Sequence, residues 1–261
     1  MAEMSNYQHS EFCWLDLGTK DISSAKNFYS LLFGWKSFDM PVEESGGYGM
    51  FMLQNRPVSG YYPLMQEQID MHIPSHWMSY IKTDDINETL NKVKENGGNV
   101  IVDVQTIPTQ GTMALAQGPD GGMFGLWQPE NHFGSAFVRE HGSMCWFEYG
   151  CRDRDAAITF YEEVFGWKSK TTLMGDTSYT TLFTEDKMVA GLYELTANMD
   201  DVPNHWLPYF EVANLDSALE TTINNNGVII MGKMFVDSVG HFAVIQDSTG
   251  AVSGLIESLK N

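Results

Sequence analysis

Two acidic residues follow a tryptophan by two positions in matching stretches of the chain, Asp16 in CWLDLG and Glu148 in CWFEYG. Alternation along a β-strand would place each carboxylate on the same face as its tryptophan and apolar residues on the opposite face. A carboxylate that is desolvated between aromatic side chains has a raised pKa and can act as a general base. Asp16 and Glu148 are therefore candidate catalytic residues. The alternative is that either one accepts backbone N–H groups or pairs with an arginine at the centre of a sheet.

A second pair of matching stretches, PSHWMSYIK from Pro74 and PNHWLPYFE from Pro203, supplies more polar and aromatic side chains. The same alternation places every second residue on the face that carries the carboxylate. A pocket with aromatic walls and a few polar groups is typical of small-molecule sites. We predict that the substrate-binding residues are Trp14, His76, Met78, Tyr80, Lys82, Trp127, Trp146, His205, Tyr209 and Glu211. For the two histidines, the alternative is a capping or hydrogen-bonded role at the start of a strand beside a proline.

The matching stretches indicate two homologous halves, each with a helix-like segment that ends in FGWKS. A fainter repeat inside each half gives the order strand, helix and then three strands, so four modules of about sixty residues follow one another. This order predicts an α+β fold with domains at residues 11–130 and 143–258. Two modules side by side would curl the open face of their sheet into a cup, which is a natural place for a ligand.

Three motifs carry a family resemblance: FY-x-x-x-FGW at the end of the helix, HW-x-x-Y in the strand that opens the following module, and PDGG-x-FGLWQP before the middle of the chain. Together they resemble the vicinal oxygen chelate superfamily, and within it the two-domain glyoxalase/bleomycin resistance protein/dioxygenase proteins. The resemblance covers about residues 11 to 258. It implies four βαβββ modules that form two cup-shaped sheets. It does not imply one reaction, because this fold supports several chemistries.

The resemblance also implies places for a metal ion, which metal-dependent members hold with His and Glu side chains in the cup. Those places correspond here to Trp14, Met78 and Gly125 in the first half and to Trp146, Leu207 and Gly254 in the second; a further place falls near Phe51 and Thr181. None of these side chains provides the imidazole, carboxylate or thiolate donors that such an ion needs. We therefore expect no metal cofactor. The alternative is a shifted set, with His76 and Asp16 or His205 and Glu148 as ligands.

The composition limits the possible partners. The formal net charge of −19, from 34 acidic and 15 basic side chains, disfavours binding to nucleic acid or to an anionic membrane surface. No apolar run is long enough to span a bilayer, and the first residues have no signal-peptide pattern. Three cysteines without a C-x-x-C pair argue against a disulfide framework. We expect a cytoplasmic protein, monomeric or homodimeric, whose partner is a small molecule.

The leading functional prediction is a protein similar to glyoxalases and bleomycin resistance proteins that binds a small organic molecule in its cups without metal. A second prediction is a metal-independent isomerase or lyase that uses Asp16 or Glu148 as general base. A third is a metal-dependent lyase, similar to lactoylglutathione lyase, or a dioxygenase with the shifted ligands. The sequence does not decide whether the protein is an enzyme.

Overall fold

The structure is a computed structural model, and it describes residues 3–41, 46–174, 177–185, 187–237 and 239–259. The elements of the first half are β1 (Phe12–Thr19), α1 (Ile22–Phe33), β2 (Lys36–Asp39), β3 (Gly49–Leu53), β4 (Arg56–Pro63), α2 (Gln66–Asp70), β5 (His76–Lys82), α3 (Ile86–Glu95), β6 (Asn99–Ile107), β7 (Gly111–Gln117) and β8 (Met123–Pro129). Those of the second half are β9 (Met144–Cys151), α4 (Arg154–Phe165), β10 (Lys168–Met174), β11 (Thr177–Thr184), β12 (Lys187–Glu194), a 3-10 turn (Ala197–Met199), β13 (His205–Glu211), α5 (Leu215–Asn224), β14 (Val228–Val236), β15 (Gly240–Gln246) and β16 (Val252–Ser258).

Matching residues begin and end the first helix of each half. Asp21 accepts a hydrogen bond from the backbone N–H of Ser24, and Asp153 accepts one from Ala156, so both cap a helix N-terminus. Gly34 and Gly166 end the same helices in the left-handed conformation, with φ of 70° and 68°. Both of these helices have 12 residues. Among the described residues, no helix is long and apolar enough to cross a membrane.

Each half forms one eight-stranded mixed sheet, in the order β2-β3-β4-β1-β5-β8-β7-β6 or β10-β11-β12-β9-β13-β16-β15-β14. The two modules of a half join at the middle of the sheet, where β1 pairs with β5 and β9 with β13 in antiparallel fashion. The predicted α+β fold of βαβββ modules is therefore confirmed. The structure also shows that modules pair within a half, which the sequence does not determine.

The main core fills the space between the helices and the two sheets and is continuous between the halves; it also includes Trp14, Met78, Tyr80 and Trp127 on the other face of the first sheet. Leu15 and Leu17 are fully buried in it, as strand alternation predicts. The indole N–H of Trp77 donates to Tyr29 of α1 at 3.1 Å, and that of Trp206 donates to Tyr161 of α4 at 2.8 Å. Helix α1 contacts α5, and α3 contacts α4, so the helices of one half pack against those of the other. The opposite face of each sheet carries Asp16 or Glu148, and we call it the concave face after the cup that the sequence predicts.

Candidate functional site on the concave faces

Asp16 lies at the centre of the first concave face within a group of aromatic hydrogen-bond donors. Its Oδ1 accepts from the indole N–H of Trp14 and from the hydroxyl of Tyr48, both at 2.8 Å. Asp16 is 7% exposed. Burial raises the pKa of its carboxyl to about 6, although the hydrogen bonds from Tyr48, Trp14 and Tyr80 act in the opposite direction. The carboxylate is thus surrounded by donors that belong to the chain itself.

Glu148 is the centre of the same arrangement on the second concave face. The hydroxyls of Tyr179 and Tyr209 donate to its two carboxylate oxygens at 2.7 and 2.6 Å. The indole N–H of Trp146 donates to the Tyr179 hydroxyl at 3.0 Å. Burial raises the pKa of Glu148, and the three aromatic donors partly offset that effect. Both halves therefore contain one carboxylate, two tyrosines and one tryptophan in a single cluster.

Two tyrosines of these clusters, Tyr48 and Tyr179, were not among the predicted site residues. They occupy matching places in the repeat, Tyr48 just before β3 and Tyr179 in β11. That correspondence was a usable signal. Gly60 and Gly191 make room for them, because a Cβ on either glycine would overlap the tyrosine hydroxyl. Glycine is therefore needed at these positions of β4 and β12 because a side chain would collide with the tyrosine, and not because of an unusual backbone conformation.

The places that correspond to the family's metal ligands hold no metal-binding donors. In β8, the ring of Tyr80 fills the space that a side chain on Gly125 would need, and the ring of Tyr209 does the same at Gly254 in β16. Phe51 packs in the aromatic core against Tyr29. The described part of the chain has no group of three or more His, Cys, Asp or Glu that could hold a metal ion. The residues present therefore do not fit the metal that the fold family implies.

The two predicted histidines lie at strand starts, bonded to the preceding proline. Nδ1 of His76 is 2.9 Å from the carbonyl oxygen of Pro74, and Nδ1 of His205 is 2.8 Å from that of Pro203. Nε2 of His76 is 3.4 Å from the hydroxyl of Tyr62. These contacts agree with the hydrogen-bonded role given as the alternative for them. Each histidine with its carboxylate gives only two donors, which is too few for the shifted metal site.

The charged groups of Lys82 and Glu211 are bound at the ends of their strands. The Lys82 ammonium contacts the carboxylate of Asp84. The Glu211 carboxylate accepts from the backbone N–H of Ser258 at 3.0 Å and from its hydroxyl at 2.7 Å. The structure therefore brings Trp14, Met78 and Tyr80 around Asp16, but it directs Lys82 and Glu211 to other partners.

His132, in the connection between the halves, is a residue of the first concave face that the sequence analysis did not identify. Its ring lies edge-on to Trp14 and Trp127, with ring centroids 4.3 and 5.6 Å away. The indole N–H of Trp127 donates to the His132 carbonyl at 2.8 Å. Burial lowers the pKa of the imidazole to about 4, and Nε2 is buried without a hydrogen-bond partner in the described structure. His132 thereby covers Trp14, which is only 4% exposed.

The fold and these motifs define a class of protein, and comparisons with known sequences agree. Residues 12–126 match the family model of the Glyoxalase/Bleomycin resistance protein/Dioxygenase superfamily. "Putative glyoxylase CFP32" of Mycobacterium tuberculosis is 35% identical over 98% of both chains. "Anthracycline biosynthesis protein DnrV" of Streptomyces peucetius is 26% identical over 87% of this chain and 86% of its own. The chain belongs to the glyoxalase/bleomycin resistance protein/dioxygenase superfamily.

Solved structures share the fold at low sequence identity. The Mn(II)-bound glyoxalase from Novosphingobium aromaticivorans has a TM-score of 0.66 and 14% identity, and the match covers 97% of this chain and 83% of that one. The 2,3-dioxygenase LapB from Pseudomonas sp. KL28 has a TM-score of 0.67 and 11% identity, over 97% and 94% of the two chains. At these identities the likeness extends to the fold alone.

Proposed function

We propose that the protein binds a small, planar organic molecule on a concave face and does so without a metal ion. The observation that carries this proposal is the self-contained cluster in each half. The carboxylate accepts hydrogen bonds from the chain's own tyrosines and tryptophan, and tyrosine rings fill the space at two of the places where relatives hold a metal. What is left to contact a ligand is aromatic and aliphatic surface.

The lining of the second concave face supports a flat, apolar ligand. Its buried residues form an apolar cluster separate from the main core, namely Leu207, Tyr209, Val244 and Ile256, with partly buried Cys145, Trp146, Met231, Phe242 and Val252 against it. Aromatic rings stack on planar ligands, and methionine adapts to their outline. Such a surface binds by burial of apolar area, with few polar groups to fix the orientation.

The name of one relative suggests a ligand to test. DnrV is named as an anthracycline biosynthesis protein, and anthracyclines are planar, fused-ring molecules. The match to DnrV spans both halves of this chain. An anthracycline is therefore a suitable first probe for the planar-ligand proposal.

A titration with an anthracycline tests the proposal. Chelator-treated protein is titrated and the quenching of tryptophan fluorescence is followed, for the natural chain and for Trp146→Leu. We expect saturable binding that weakens at least about tenfold in the variant, because the largest partly exposed ring of the second cluster is lost. Leu31→Ser is the control, since Leu31 is 53% exposed on helix α1 and lies away from the concave face. Equal affinity in all three proteins would contradict the proposal.

A metal-independent isomerase or lyase is the second candidate, and the pKa of Asp16 favours it. A carboxyl with a pKa of about 6 is well placed to take a proton near neutral pH. Asp16→Asn separates the two functions. A general-base enzyme would lose about 10²–10⁴-fold in rate on its substrate, whereas a binding protein would keep nearly all of its affinity for an uncharged ligand. Full turnover by Asp16→Asn would exclude the general-base role.

A further inference from the structure

The two halves differ in the space between the starts of two parallel strands. These strands are β1 and β4 in the first half, and β9 and β12 in the second. In the second half this place is a pocket between the starts of β9 and β12. The two strands line it with Met144, Cys145, Trp146, Lys187, Met188 and Val189. The parallel pairing of β9 with β12 begins only at Glu148 and Gly191, so the strand starts are separated here.

In the first half the same place is filled by the connection between the halves. Pairing of β1 with β4 begins at Asp16 and Gly60, so these strands are also separated at their starts. The backbone N–H of Ser135 donates to the carbonyl of Cys13, and that of Ala136 donates to the carbonyl of Pro57, both at 2.8 Å. The connection thus inserts between the two strands and bonds to both of them. The residues that correspond to Cys13 and Pro57 are Cys145 and Met188, and both line the pocket of the second half.

The filled site also shows which residues such a segment needs. Gly134 has a φ of 125°, and a Cβ on it would overlap the carbonyl oxygen of Cys13. Ser135 and Ala136, which follow it, are buried. The segment is therefore a glycine followed by two small residues, with bends at Gly134 and Ala136 and backbone hydrogen bonds to both strands.

The charge at the pocket differs from that of the molecule as a whole. The chain carries a formal net charge of −19, yet Arg139 and Lys187 both line the pocket. Lys187 is paired with Glu11 at 2.6 Å, whereas no described acidic group pairs with the Arg139 side chain. A cationic group at the pocket attracts a negatively charged occupant.

We propose that this pocket, between the starts of β9 and β12, binds a peptide segment of a partner protein that contains a glycine followed by small residues and carries an acidic group. The segment adds its backbone between the two strands, as Gly134, Ser135 and Ala136 do in the first half. As in strand addition, main-chain hydrogen bonds provide affinity, and close packing selects small side chains. The proposal does not depend on a small-molecule ligand.

Synthetic peptides based on the chain's own segment provide the test. The probe is fluorescein-labelled Phe-Gly-Ser-Ala-Phe-Asp, which copies residues 133–137 and adds an acidic residue, and its binding to the full chain is followed by fluorescence anisotropy. Replacement of its glycine by alanine should weaken binding at least about tenfold, because of the overlap with the strand carbonyl. Met188→Trp, a bulkier uncharged residue at a half-exposed place in the pocket, should also weaken binding. Arg139→Ala should selectively weaken the acidic peptide.

Methyl NMR of the methionines shows where the peptide binds. We expect the signals of Met144 and Met188 to shift, and those of Met50 and Met78 in the first half to stay unchanged. Equal affinity of the glycine and alanine peptides, or no binding at about millimolar concentration, would overturn the proposal. It would equally be overturned if an anthracycline shifted Met144 and Met188 while the peptide did not, since the pocket would then belong to the small-molecule site.

Discussion

The ring of Tyr209 occupies the space next to Gly254, and the hydroxyl of the same tyrosine donates to Glu148 at 2.6 Å. One side chain therefore does two things: it fills a place that the family resemblance assigns to a metal ligand, and it donates a hydrogen bond to the buried carboxylate. Tyr80 and Gly125 have the same relationship in the first half. The tyrosine clusters therefore need glycine at positions 125 and 254, because any larger residue would displace the ring of Tyr80 or Tyr209.

Gly254→Ala should destabilise the protein by about 1–3 kcal/mol, because the added methyl forces the Tyr209 ring out of its place. The displaced hydroxyl would also no longer reach Glu148. The free energy of unfolding in urea measures the effect. Gly232→Ala is the matched control, since Gly232 lies on a strand of the same sheet and a Cβ there would meet no atom within 4 Å. A loss of equal size in both variants would argue against the account of Gly254.

The stability of the protein should fall as pH rises through the range in which Asp16 ionises. Its pKa is about 6 in the folded protein against an ordinary value of 3.8, so the folded state holds the proton more tightly. The unfolding free energy therefore decreases between about pH 4 and pH 6, by about 3 kcal/mol from this group, and its contribution is constant above pH 7. Asp16→Asn should remove this contribution. Urea denaturation at several pH values, with the variant subtracted, measures it; identical pH profiles would contradict the expectation.

Tyr179→Phe should raise the pKa of Glu148 further. The Tyr179 hydroxyl donates a hydrogen bond to the Glu148 carboxylate and lowers its pKa. Without this hydroxyl, the effect of burial, which raises the pKa, is offset by fewer hydrogen bonds. Carbon-13 NMR of the glutamate carboxyls, followed through a pH titration, reports the pKa directly. Tyr193→Phe is a suitable control, since Tyr193 lies on the neighbouring strand and has no hydrogen bond to Glu148 in the described structure. An unchanged pKa in Tyr179→Phe would show that the hydroxyl does not act on the carboxylate.

The tryptophans of the two FGW motifs hold the halves together. Trp35 donates its indole N–H to the carbonyl of Gly142 at 2.7 Å, and Trp167 donates to the carbonyl of Ser10 at 2.9 Å. Ser10 and Gly142 occupy matching places in the repeat, so the two bonds are related by the internal symmetry. This explains why the motif recurs: each copy contacts the other half.

Trp35→Phe and Trp167→Phe should each cost about 1–3 kcal/mol, because a buried carbonyl loses its donor. Thermal unfolding followed by circular dichroism gives the comparison, and the exposed substitution Leu31→Ala should change stability by no more than about 0.5 kcal/mol. If the bonds join the halves as described, the double variant should also show broader, less cooperative unfolding. A sharp transition with unchanged midpoint would contradict this role.

Much of this architecture could be predicted from the sequence, because the repeat and the alternation of side chains are local signals. Strand alternation correctly separated Leu15 and Leu17 from Trp14 and Asp16. The alternation does not extend back to Phe12, because the pairing of β1 with β5 shifts register between Phe12 and Trp14. The resulting bulge turns Phe12 into the core, where it stacks on Phe147 with ring centroids 4.0 Å apart.

The parts of the site that could not be predicted depend on contacts between distant segments. Tyr48 precedes a short strand, and only its counterpart Tyr179 indicates that it matters. His132 has no matching residue in the repeat, and its place on Trp14 follows from the path of the connection between the halves. Lys82 and Glu211 lie at the ends of their strands, where they bind Asp84 and Ser258. The alternation of side chains along a strand does not predict these partners.

The central claim is that these concave faces act without a metal ion, and the metal content of the protein tests it most directly. The protein is purified without chelators or a histidine tag, incubated with Ni²⁺, Zn²⁺, Mn²⁺ and Fe²⁺, desalted, and measured by plasma mass spectrometry. Retention of each metal should stay well below one ion per chain, because the described residues offer no set of three donors. Retention of close to one ion per half, lost on substitution of His76 and Asp16 or of His205 and Glu148, would contradict it.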